Sequence, residues 1–309
     1  MSARYANLDP RHTPHGLWDV FRWSVLDRVT GRRRIAKPGP PAPRVRADLA
    51  AIQNDAGPAR VTWIGHSSFL ATLSSASILL DPVFSNAIAG IVRRHGEAGL
   101  QATDLPKLTA LLVTHNHYDH LDAPSVDALP RTLPVLTAAG LGGWFKKRGF
   151  TEVVELRWWD RAQAGALTIT FVPARHWSRR GLGDTNRSAW GGFVVEGGGT
   201  TLYHAGDTGW FDGFGEIAKR FPKIDLALLP IGAYAPSWFM GPHHMNPEEA
   251  IEALDVLNAK AWVPMHWGAF QLTDEPLCEP VERLRRAWAL RPREARLHVL
   301  SVGETLSIA

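Results

Sequence analysis

The sequence of 309 residues has a single cysteine, Cys278, and no long apolar run. One cysteine permits neither an intrachain disulfide nor a thiolate metal cluster. No window approaches the roughly 18 apolar residues of a transmembrane helix. Charged residues are scattered through the first thirty positions, including the part where a signal peptide would have its apolar centre. We therefore expect neither a disulfide-stapled miniprotein nor a membrane-spanning protein. A cytoplasmic location is expected, with peripheral contact at the inner membrane surface left open.

The composition is that of an ordinary globular protein, with 45% hydrophobic and 21% charged residues. These values exclude disorder and a collagen-like chain, and no internal repeat is visible. The start of the chain is amphipathic, with apolar residues at helical spacing: Leu17, Val20, Phe21 and Val25. A stretch rich in proline and arginine, Lys37 to Pro58, then precedes alternating strand and helix patterns. We predict an amino-terminal arm over residues 1–58 that packs on one domain over residues 59–309.

The net charge of +4 is mildly basic, and part of it lies between Arg28 and Arg46. A solvated arm and a contact with an anionic surface are both compatible with this stretch. An arm that binds nucleic acid would normally carry denser charge with interleaved aromatic residues, so no nucleic acid is expected. The oligomeric state, including a homo-oligomer, stays open.

Apolar runs predict a series of strands with helices between them. The run Leu108 to Thr114 predicts a strand buried on both faces. The other predicted strands are Val61 to Phe69, Ser77 to Leu80, Val135 to Thr137, Leu167 to Val172, Phe193 to Val195, Thr201 to Ala205, Leu226 to Pro230, Ala261 to Met265 and Leu297 to Ser301. Asn246 and Glu249 form a capping box that predicts a helix over Pro247 to Leu257, and a second helix follows Pro280. The pattern indicates a layered α/β domain.

Metal chemistry is indicated by a short segment directly after the buried strand, Thr114-His115-Asn116-His117-Tyr118-Asp119-His120. Three histidines and an aspartate so close together are far from background. Imidazole nitrogen and carboxylate oxygen without sulfur suit Zn²⁺ first, then Mn²⁺ or Fe²⁺. In a turn that leaves a strand, His115 and His117 can face one point while Asp119 and His120 face another, as two metal ions require.

Further histidines and aspartates stand at the carboxyl ends of other predicted strands, where open α/β sheets collect ligand-binding groups. They are His176 after Leu167 to Val172, Asp207 after Thr201 to Ala205, and His266 after Ala261 to Met265. Together with the first segment they make seven candidate ligands: His115, His117, Asp119, His120, His176, Asp207 and His266.

These residues in this order resemble the metallo-β-lactamase superfamily, whose signature is H-x-H-x-D-H followed by a distant His, Asp and His. The resemblance implies an αββα sandwich of two mixed sheets flanked by helices. It places His115, His117 and His176 at a first metal ion, places Asp119, His120 and His266 at a second, and makes Asp207 a bridge. Asp81 matches an aspartate that supports the metal loop and is not usually a ligand.

A narrower resemblance covers about Val61 to Phe270. It is carried by the following runs: Pro173-Ala174-Arg175-His176-Trp177, Trp190-Gly191-Gly192, Ala205-Gly206-Asp207-Thr208-Gly209, Pro230-Ile231-Gly232-Ala233-Tyr234, Trp238-Phe239-Met240, Pro247-Glu248-Glu249-Ala250 and His266-Trp267-Gly268. These runs look like the branch that hydrolyses N-acyl-phosphatidylethanolamine as a phospholipase D. The resemblance implies a zinc-dependent phosphodiesterase with two Zn²⁺ ions, in which a metal-bridging hydroxide attacks phosphorus.

Catalytic roles are expected for Asp119, Asp207 and His244. Asp119 would orient the hydroxide, Asp207 would hold both ions, and His244 matches a histidine near the site in that branch. Because His244 precedes a capped helix, it suits a hydrogen-bond donor or proton relay better than a fixed cation. Expected substrate contacts are Arg180 for phosphate and the apolar side chains of Trp177, Trp238, Phe239 and Met240.

Three other activities use related sites. A lactonase or another carboxylic-ester hydrolase would share the ligand set and stays open. A nuclease would usually carry a large insertion, and the 58 residues between Asp207 and His266 are too few for it. A diiron reductase would normally have Glu at position 117 and an attached flavin domain, whereas this sequence has His117. A non-catalytic metal-binding scaffold would be signalled by a missing ligand, and none of the seven is missing.

Overall fold

Two seven-stranded mixed β-sheets form the centre of the structure, a computed structural model that describes residues 4–54 and 57–308. The strands are β1 Arg60–Gly65, β2 Ser68–Leu73, β3 Ala76–Leu80, β4 Ala87–Ile88, β5 Val92–Arg93, β6 Ala110–Val113, β7 Val135–Ala138, β8 Val153–Leu156, β9 Arg161–Ala164, β10 Leu167–Val172, β11 Gly192–Gly197, β12 Thr200–His204, β13 Leu226–Pro230, β14 Ala261–Met265, β15 Arg296–Leu297 and β16 Thr305–Ser307. The first sheet has the order β16-β1-β2-β3-β6-β7-β8 and the second the order β15-β14-β13-β12-β11-β10-β9. A small hairpin of β4 and β5 stands apart from both.

Helices flank the two sheets. They are α1 Leu17–Phe21, α2 Asp27–Val29, α3 Leu49–Gln53, α4 Ala123–Asp127, α5 Gly142–Lys146, α6 Gly213–Arg220, α7 Ser237–Met240, α8 Pro247–Leu257 and α9 Glu279–Trp288, with a π-helical turn Arg22–Leu26 that joins α1 to α2. On the outside of the second sheet, α8 packs between α6 and α9 and against β13. The αββα sandwich that the resemblance implied is therefore confirmed.

The core lies between and around the sheets, and its strands are apolar on both faces. Every residue of β6 and of β13 is buried, as expected for parallel strands covered by another layer on each side. Fully burying one leucine of such a strand contributes about 1.5–3 kcal/mol. Helix α8 has the predicted bounds and capping box: Asn246 accepts from the backbone N–H of Glu249, and the Glu249 carboxylate accepts from the backbone N–H of Asn246.

Strand directions bring the ends of distant strands to one edge of each sheet. In the first sheet, β1 and β2 are antiparallel, β2 and β3 are antiparallel, and β3 and β6 are parallel, so β1, β3 and β6 run the same way. In the second sheet, β10 runs the same way as β12, β13 and β14 by the same reasoning. The carboxyl ends of these strands are where the candidate ligands stand.

Two of the predicted strands differ substantially from the structure, and three strands of the two large sheets were not predicted. Val61 to Phe69 is not one strand, because the chain turns at His66, whose φ of 56° is left-handed, and β2 begins at Ser68. The strand predicted at Leu297 to Ser301 is only Arg296–Leu297. Residues of β8, β9 and β16 were not predicted as strands; they lie at or beside sheet edges and are partly exposed, so they lack a strong apolar pattern.

The amino-terminal segment lies against the domain at several points. The Asn7 side chain makes two hydrogen bonds to the backbone of His176. Arg33 forms a partly buried ion pair with Asp274 at 2.8 Å, and Ala42 N–H donates to the Gly268 carbonyl. The division of the chain at residue 58 stays a prediction. The ends of the chain, residues 1–3 and 309, lie outside the described residues, and so do residues 55 and 56.

In the ranges 4–54 and 57–308, no helix combines the length and the apolar character needed to cross a bilayer.

Candidate metal centre

All seven predicted ligands come together at the shared carboxyl edge of the two sheets. His115, His117, Asp119 and His120 follow β6 of the first sheet. His176, Asp207 and His266 follow β10, β12 and β14 of the second sheet. Their candidate ligand atoms form two main groups that share this edge.

The first group consists of three imidazoles and one carboxylate: His115, His117, His176 and Asp207. Nδ1 of His117 lies 3.0 Å from Nε2 of His115 and 3.1 Å from Nε2 of His176. Oδ2 of Asp207 lies 3.9 Å from the first of these Nε2 atoms and 3.8 Å from the second. We call the three histidines of this group the first cluster.

The second group contains Asp119, His120, His266 and His66. We call the first three of these residues the second cluster. Oδ2 of Asp119 lies 3.8 Å from Nε2 of His120 and 3.4 Å from Nε2 of His266. Asp207 faces this cluster as well, because its Oδ2 lies 3.1 Å from Nε2 of His120 and 3.2 Å from Nε2 of His266. One carboxylate oxygen of Asp207 is thus near every histidine of both clusters except His117.

The second ring nitrogen of several ligands is held by a partner outside the clusters. Nδ1 of His120 lies 2.7 Å from an Asp81 oxygen, and Nδ1 of His176 lies 3.1 Å from the His243 carbonyl. Such partners fix the ring orientation and leave Nε2 to face the site. Asp81 also accepts from the backbone N–H and the hydroxyl of Thr114, so it supports the metal loop, which is the position that the resemblance implied.

The donor set fits divalent metal ions. Buried nitrogen and oxygen atoms converge at the site, and three of them have no hydrogen-bond partner within the described chain: Nε2 of His120, Nε2 of His266 and Oδ1 of Asp207. Buried polar atoms are normally satisfied, and an ion at the centre of each cluster would satisfy these. Imidazole and carboxylate groups without thiolate are ligands that zinc accepts, and manganese or iron accepts them too.

The two clusters differ in the pKa values of their histidines. Burial lowers the pKa of His117 to about 4, and burial with neighbouring imidazoles lowers the pKa values of His115 and His176 well below the usual range. Burial acts in the same direction on His266, but the Asp207 and Asp119 carboxylates overcome it and raise its pKa to about 9. The pKa of His120 is likewise raised well above its usual value by those two carboxylates against burial.

His244 lies beside both clusters. Its Nδ1 is 4.0 Å from Oδ2 of Asp207, and with Asp207 and His266 it forms a third group of converging ligand atoms. Burial lowers its pKa to about 4, so the ring is neutral at neutral pH. His244 is therefore a neutral hydrogen-bonding group, and not a fixed cation, beside the carboxylate that faces both clusters.

Arg180 contacts the metal loop and not the ligands themselves. One of its guanidinium nitrogens donates to the Asn116 carbonyl at 3.0 Å, and its guanidinium carbon lies 4.0 Å from the centroid of the Tyr118 ring. The Tyr118 hydroxyl donates back to the Arg180 carbonyl at 2.9 Å. These contacts brace the segment between His115 and Asp119; a contact with phosphate stays a prediction.

Aromatic side chains lie on one side of the first cluster. The ring of Trp177 is 4.7 Å from that of His117. Farther out, Phe239 stacks on His15 at 4.3 Å and on Trp23 at 4.7 Å, and Trp238 contacts Phe239 edge-on. Met240, like these aromatic residues, is partly exposed.

Two buried histidines at the site were missed from the sequence, His66 and His243. His66 follows β1 at the same edge as the ligands, and the strand-end criterion would have found it had β1 been ended at Gly65. His243 directly precedes His244, and its backbone carbonyl accepts a hydrogen bond from Nδ1 of His176. Neither ring nitrogen of His243 has a hydrogen-bond partner among the described residues. Its position next to a predicted site residue was the available signal.

Comparisons with known proteins place this site in a family. A model described as a beta-lactamase superfamily domain matches residues 76–267, more than half of the chain. An uncharacterized protein of Mycobacterium tuberculosis is 37% identical over 295 residues, which cover 92% of this chain and 77% of the relative. N-acyl-phosphatidylethanolamine-hydrolyzing phospholipase D 1 of Caenorhabditis elegans is 35% identical over 243 residues, which cover 72% of this chain and 68% of the relative. Igni18, a metallo hydrolase from Ignicoccus hospitalis, matches at a TM-score of 0.62 and 25% identity, over 81% of this chain and 98% of that one.

The chain therefore belongs to the metallo-β-lactamase superfamily. Family, fold and converging side chains together define a metal-dependent hydrolase with a dinuclear site of histidine and aspartate ligands. Within the superfamily its named relatives include the phospholipases D that hydrolyse N-acyl-phosphatidylethanolamine, in agreement with the resemblance of its motifs.

Proposed function

We propose that the chain is a zinc-dependent phosphodiesterase of the phospholipase D type that acts on phospholipids resembling N-acyl-phosphatidylethanolamine. The observation that carries the proposal is a row of rings that leads outward from the first cluster. The motif resemblance and the printed name of the Caenorhabditis elegans relative support the same substrate class.

The row begins at Trp177, against His117, and continues through His243, whose ring centroid is 6.2 Å from that of Trp177. His15 follows at 5.9 Å from His243, and Phe239 and Trp238 lie beyond His15. Apart from His243 these rings are partly exposed, so they offer apolar surface to a bound molecule. A phosphodiester at the clusters would have its apolar part beside these rings.

Divalent metal ions held by the two clusters would polarise a phosphoryl oxygen and lower the pKa of water from 15.7 toward about 7. In the net reaction the oxygen of water bonds to phosphorus, the P–O bond to the ethanolamine oxygen breaks, and that oxygen takes up a proton. Asp119 stays ionised: burial would raise its pKa, but His120 and other histidines lower it well below the usual value. Its carboxylate can accept a hydrogen bond from the attacking water.

Neutral His244 is suited to pass a proton near the departing oxygen. Because burial keeps the ring uncharged, it offers one N–H donor and one nitrogen acceptor at the same time. Asp207, whose Oδ2 lies 4.0 Å from Nδ1 of His244, carries negative charge between the two clusters.

The test is a comparison of substrates. We expect kcat/KM for an N-acyl-phosphatidylethanolamine, or a simpler lipid-like phosphodiester, to exceed that for homoserine or sugar lactones by at least about tenfold, or about 1.4 kcal/mol. Shortening the acyl chain should lower turnover. If lactones are the better substrates, or chain length has no effect, the phospholipase proposal is wrong and a lactonase or other ester hydrolase takes its place. No turnover of any substrate by metal-loaded protein would indicate a binding scaffold.

A matched pair of variants tests the row of rings. Trp238→Ala should raise KM for the long-chain substrate and leave a short-chain phosphodiester unaffected, because the lost surface is apolar. Trp288→Ala is the control, since Trp288 lies on α9 against Trp262 and Arg293 and contacts no ligand. Equal effects of Trp238→Ala on short and long chains would argue against the acyl contact.

We also propose that the amino-terminal helical segment contacts an anionic lipid surface. From α1 to α2 it exposes large apolar side chains three or four residues apart, which share one helix face: Trp18, Phe21, Val25 and Val29. Exposed arginines, Arg28, Arg32 and Arg34, lie at and just beyond its end. Apolar side chains flanked by cations are typical of segments that lie at the surface of anionic membranes.

Vesicle sedimentation tests this contact. The protein should bind vesicles of phosphatidylcholine with phosphatidylglycerol more tightly than vesicles of phosphatidylcholine alone, and Trp18→Ser with Phe21→Ser should weaken that binding. Leu290→Ser is the control, because Leu290 is more exposed than Trp18 or Phe21 but lies after α9. Binding that does not depend on these two residues or on lipid charge would contradict the proposal. The cellular location, the oligomeric state and the expected absence of nucleic-acid binding stay predictions.

A further inference from the structure

His66, which is not one of the seven predicted ligands, is in direct contact with the second cluster. Its side chain is almost fully buried, at 1% exposure, and its Nε2 lies 3.0 Å from Oδ2 of Asp119. That oxygen is also the one that faces His120 and His266. The His66 ring lies against the His266 ring, with 4.0 Å between the ring centroids.

The backbone of His66 makes a second link to the same cluster. Its carbonyl accepts from the backbone N–H of His266 at 3.1 Å and from the indole N–H of Trp63 at 2.9 Å. His66 comes from the turn between β1 and β2 of the first sheet, whereas His266 follows β14 of the second. One residue therefore ties the second cluster together across the two sheets.

His66 holds this position in a backbone conformation that is uncommon for a residue other than glycine. Its φ of 56° is left-handed, and a non-glycine residue keeps such a conformation where surrounding contacts determine it. His266 is also left-handed, with a φ of 62°. The two strained turns face each other through the hydrogen bond from His266 N–H to the His66 carbonyl.

We propose that His66 is a positioning residue for the second metal ion: it donates its Nε2–H to Asp119 and holds that carboxylate in the orientation that binds metal. The proposal rests on the dinuclear site and not on the identity of the substrate. Partners of this kind, which contact a ligand and not the metal, typically change metal affinity about 10–100-fold when removed.

The hydrogen bonds favour a donor over a direct ligand. A separation of 3.0 Å is normal for N–H···O, and donation needs the proton on Nε2, which leaves no lone pair there for a metal ion. Nδ1 is buried and has no hydrogen-bond partner in residues 4–54 and 57–308. With the proton on Nε2, Nδ1 carries only a lone pair, so no buried N–H donor is left unpaired.

The experiment measures the affinities of the metal-free protein for Zn²⁺ by competition with a chromophoric chelator. His66→Ala should weaken one of the two equivalents about 10–100-fold and leave the other unchanged. His66→Gln places an amide N–H near the position of the imidazole Nε2 and should restore affinity to within about threefold of the parent. Ser67→Ala is the matched control: Ser67 is buried in the same turn, and its hydroxyl has no hydrogen-bond partner in the described chain.

Several outcomes would overturn the proposal. Unchanged affinities in His66→Ala would show that the contact does not matter for metal binding. A His66→Gln variant as weak as His66→Ala would show that His66 is itself a ligand. Losses of similar size in Ser67→Ala would point to general damage of the turn, which thermal unfolding of the metal-free variants checks separately. Binding of fewer than two equivalents by the parent protein would remove the second site itself, whereas failure on phospholipids would leave the inference intact.

Discussion

The two clusters share the Asp207 carboxylate but differ in charge. In the first cluster, His115, His117 and His176 have lowered pKa values because they are buried among other imidazoles. In the second, the pKa of His266 is raised to about 9, because the Asp207 and Asp119 carboxylates outweigh burial. The first cluster is therefore neutral and ready to bind metal at neutral pH, while the second binds protons when metal is absent.

Because of this difference in charge, we expect the two clusters to hold their metal ions unequally well. Metal ligands must be deprotonated, so binding at the second cluster releases protons and binding at the first does not. Metal binding at the second cluster also depends more on the Asp207 carboxylate, because Asp207 lies nearer to His120 and His266 than to His115 and His176. We expect the second ion to be the one that is lost first.

The largest expected effect belongs to Asp207→Ala. Removing the one carboxylate that faces both clusters should reduce bound zinc from about two equivalents to one or fewer. Without its negative charge, kcat/KM should fall by at least about 1000-fold, or about 4 kcal/mol. Total metal analysis and turnover of the phosphodiester measure the two effects.

Asp212→Ala is the control for Asp207→Ala, because Asp212 is an exposed aspartate five residues along the chain. Two zinc equivalents in Asp207→Ala, with a loss of activity no larger than that of Arg180→Ala, would mean that the bridging role is wrongly assigned.

His244→Gln should lower kcat by about 100-fold while two zinc equivalents remain bound, because a neutral proton relay contributes to the reaction and not to metal binding. His298→Gln, a half-buried histidine after β15, should be without effect. If His244→Gln instead loses a metal ion, then His244 is a ligand, as its place in the third group of converging atoms allows.

The comparison of charge predicts different pH dependence for the two ions. With a pKa of about 9 in the metal-free protein, His266 is protonated below pH 9 and must lose a proton to bind metal. The pKa of His120 is also raised, so metal binding at this cluster releases a second proton wherever His120 is still protonated. The affinity of one equivalent should therefore fall by at least about tenfold for each pH unit from 9 to 7. The other should stay constant, because His117, with a pKa of about 4, is neutral throughout. Chelator competition at pH 7, 8 and 9 measures both, and parallel curves would contradict the distinction.

Much of this site could be predicted from the sequence because its ligands follow apolar strands. The bounds of β10, β13 and β14 were predicted correctly, since these strands are buried and nearly all apolar. A histidine or aspartate directly after such a strand reaches the carboxyl edge in a sheet of parallel strands. The local pattern and the strand ends therefore indicated the seven ligands, and the family resemblance divided them between two metal ions.

The contacts that depend on a turn or on distant packing could not be predicted. The run from Val61 to Phe69 has apolar ends, but the chain turns in its middle at Gly65, whose φ is 121°, and at His66, whose φ is 56°. Treating the run as one strand hid His66 from the strand-end criterion. The stacking of His15 on Phe239 joins residues 224 positions apart and has no local pattern at all.

Arg180→Ala should have the smallest effect, and it distinguishes support of the metal loop from contact with phosphate. Losing the hydrogen bond to the Asn116 carbonyl should cost about 1 kcal/mol and lower the melting temperature by about 2 °C. Because Asn116 lies between His115 and His117, kcat/KM should fall by less than about tenfold, and equally for a phosphodiester and a neutral lactone. Arg179→Ala is the control, since the Arg179 guanidinium donates to the nearby Gly181 carbonyl and to no metal-loop residue among those the structure describes. A loss confined to the phosphodiester, seen as a higher KM at an unchanged melting temperature, would instead assign Arg180 to the phosphate. That result would add an anion contact on the first-cluster side of the site, where every ligand except the shared Asp207 is neutral.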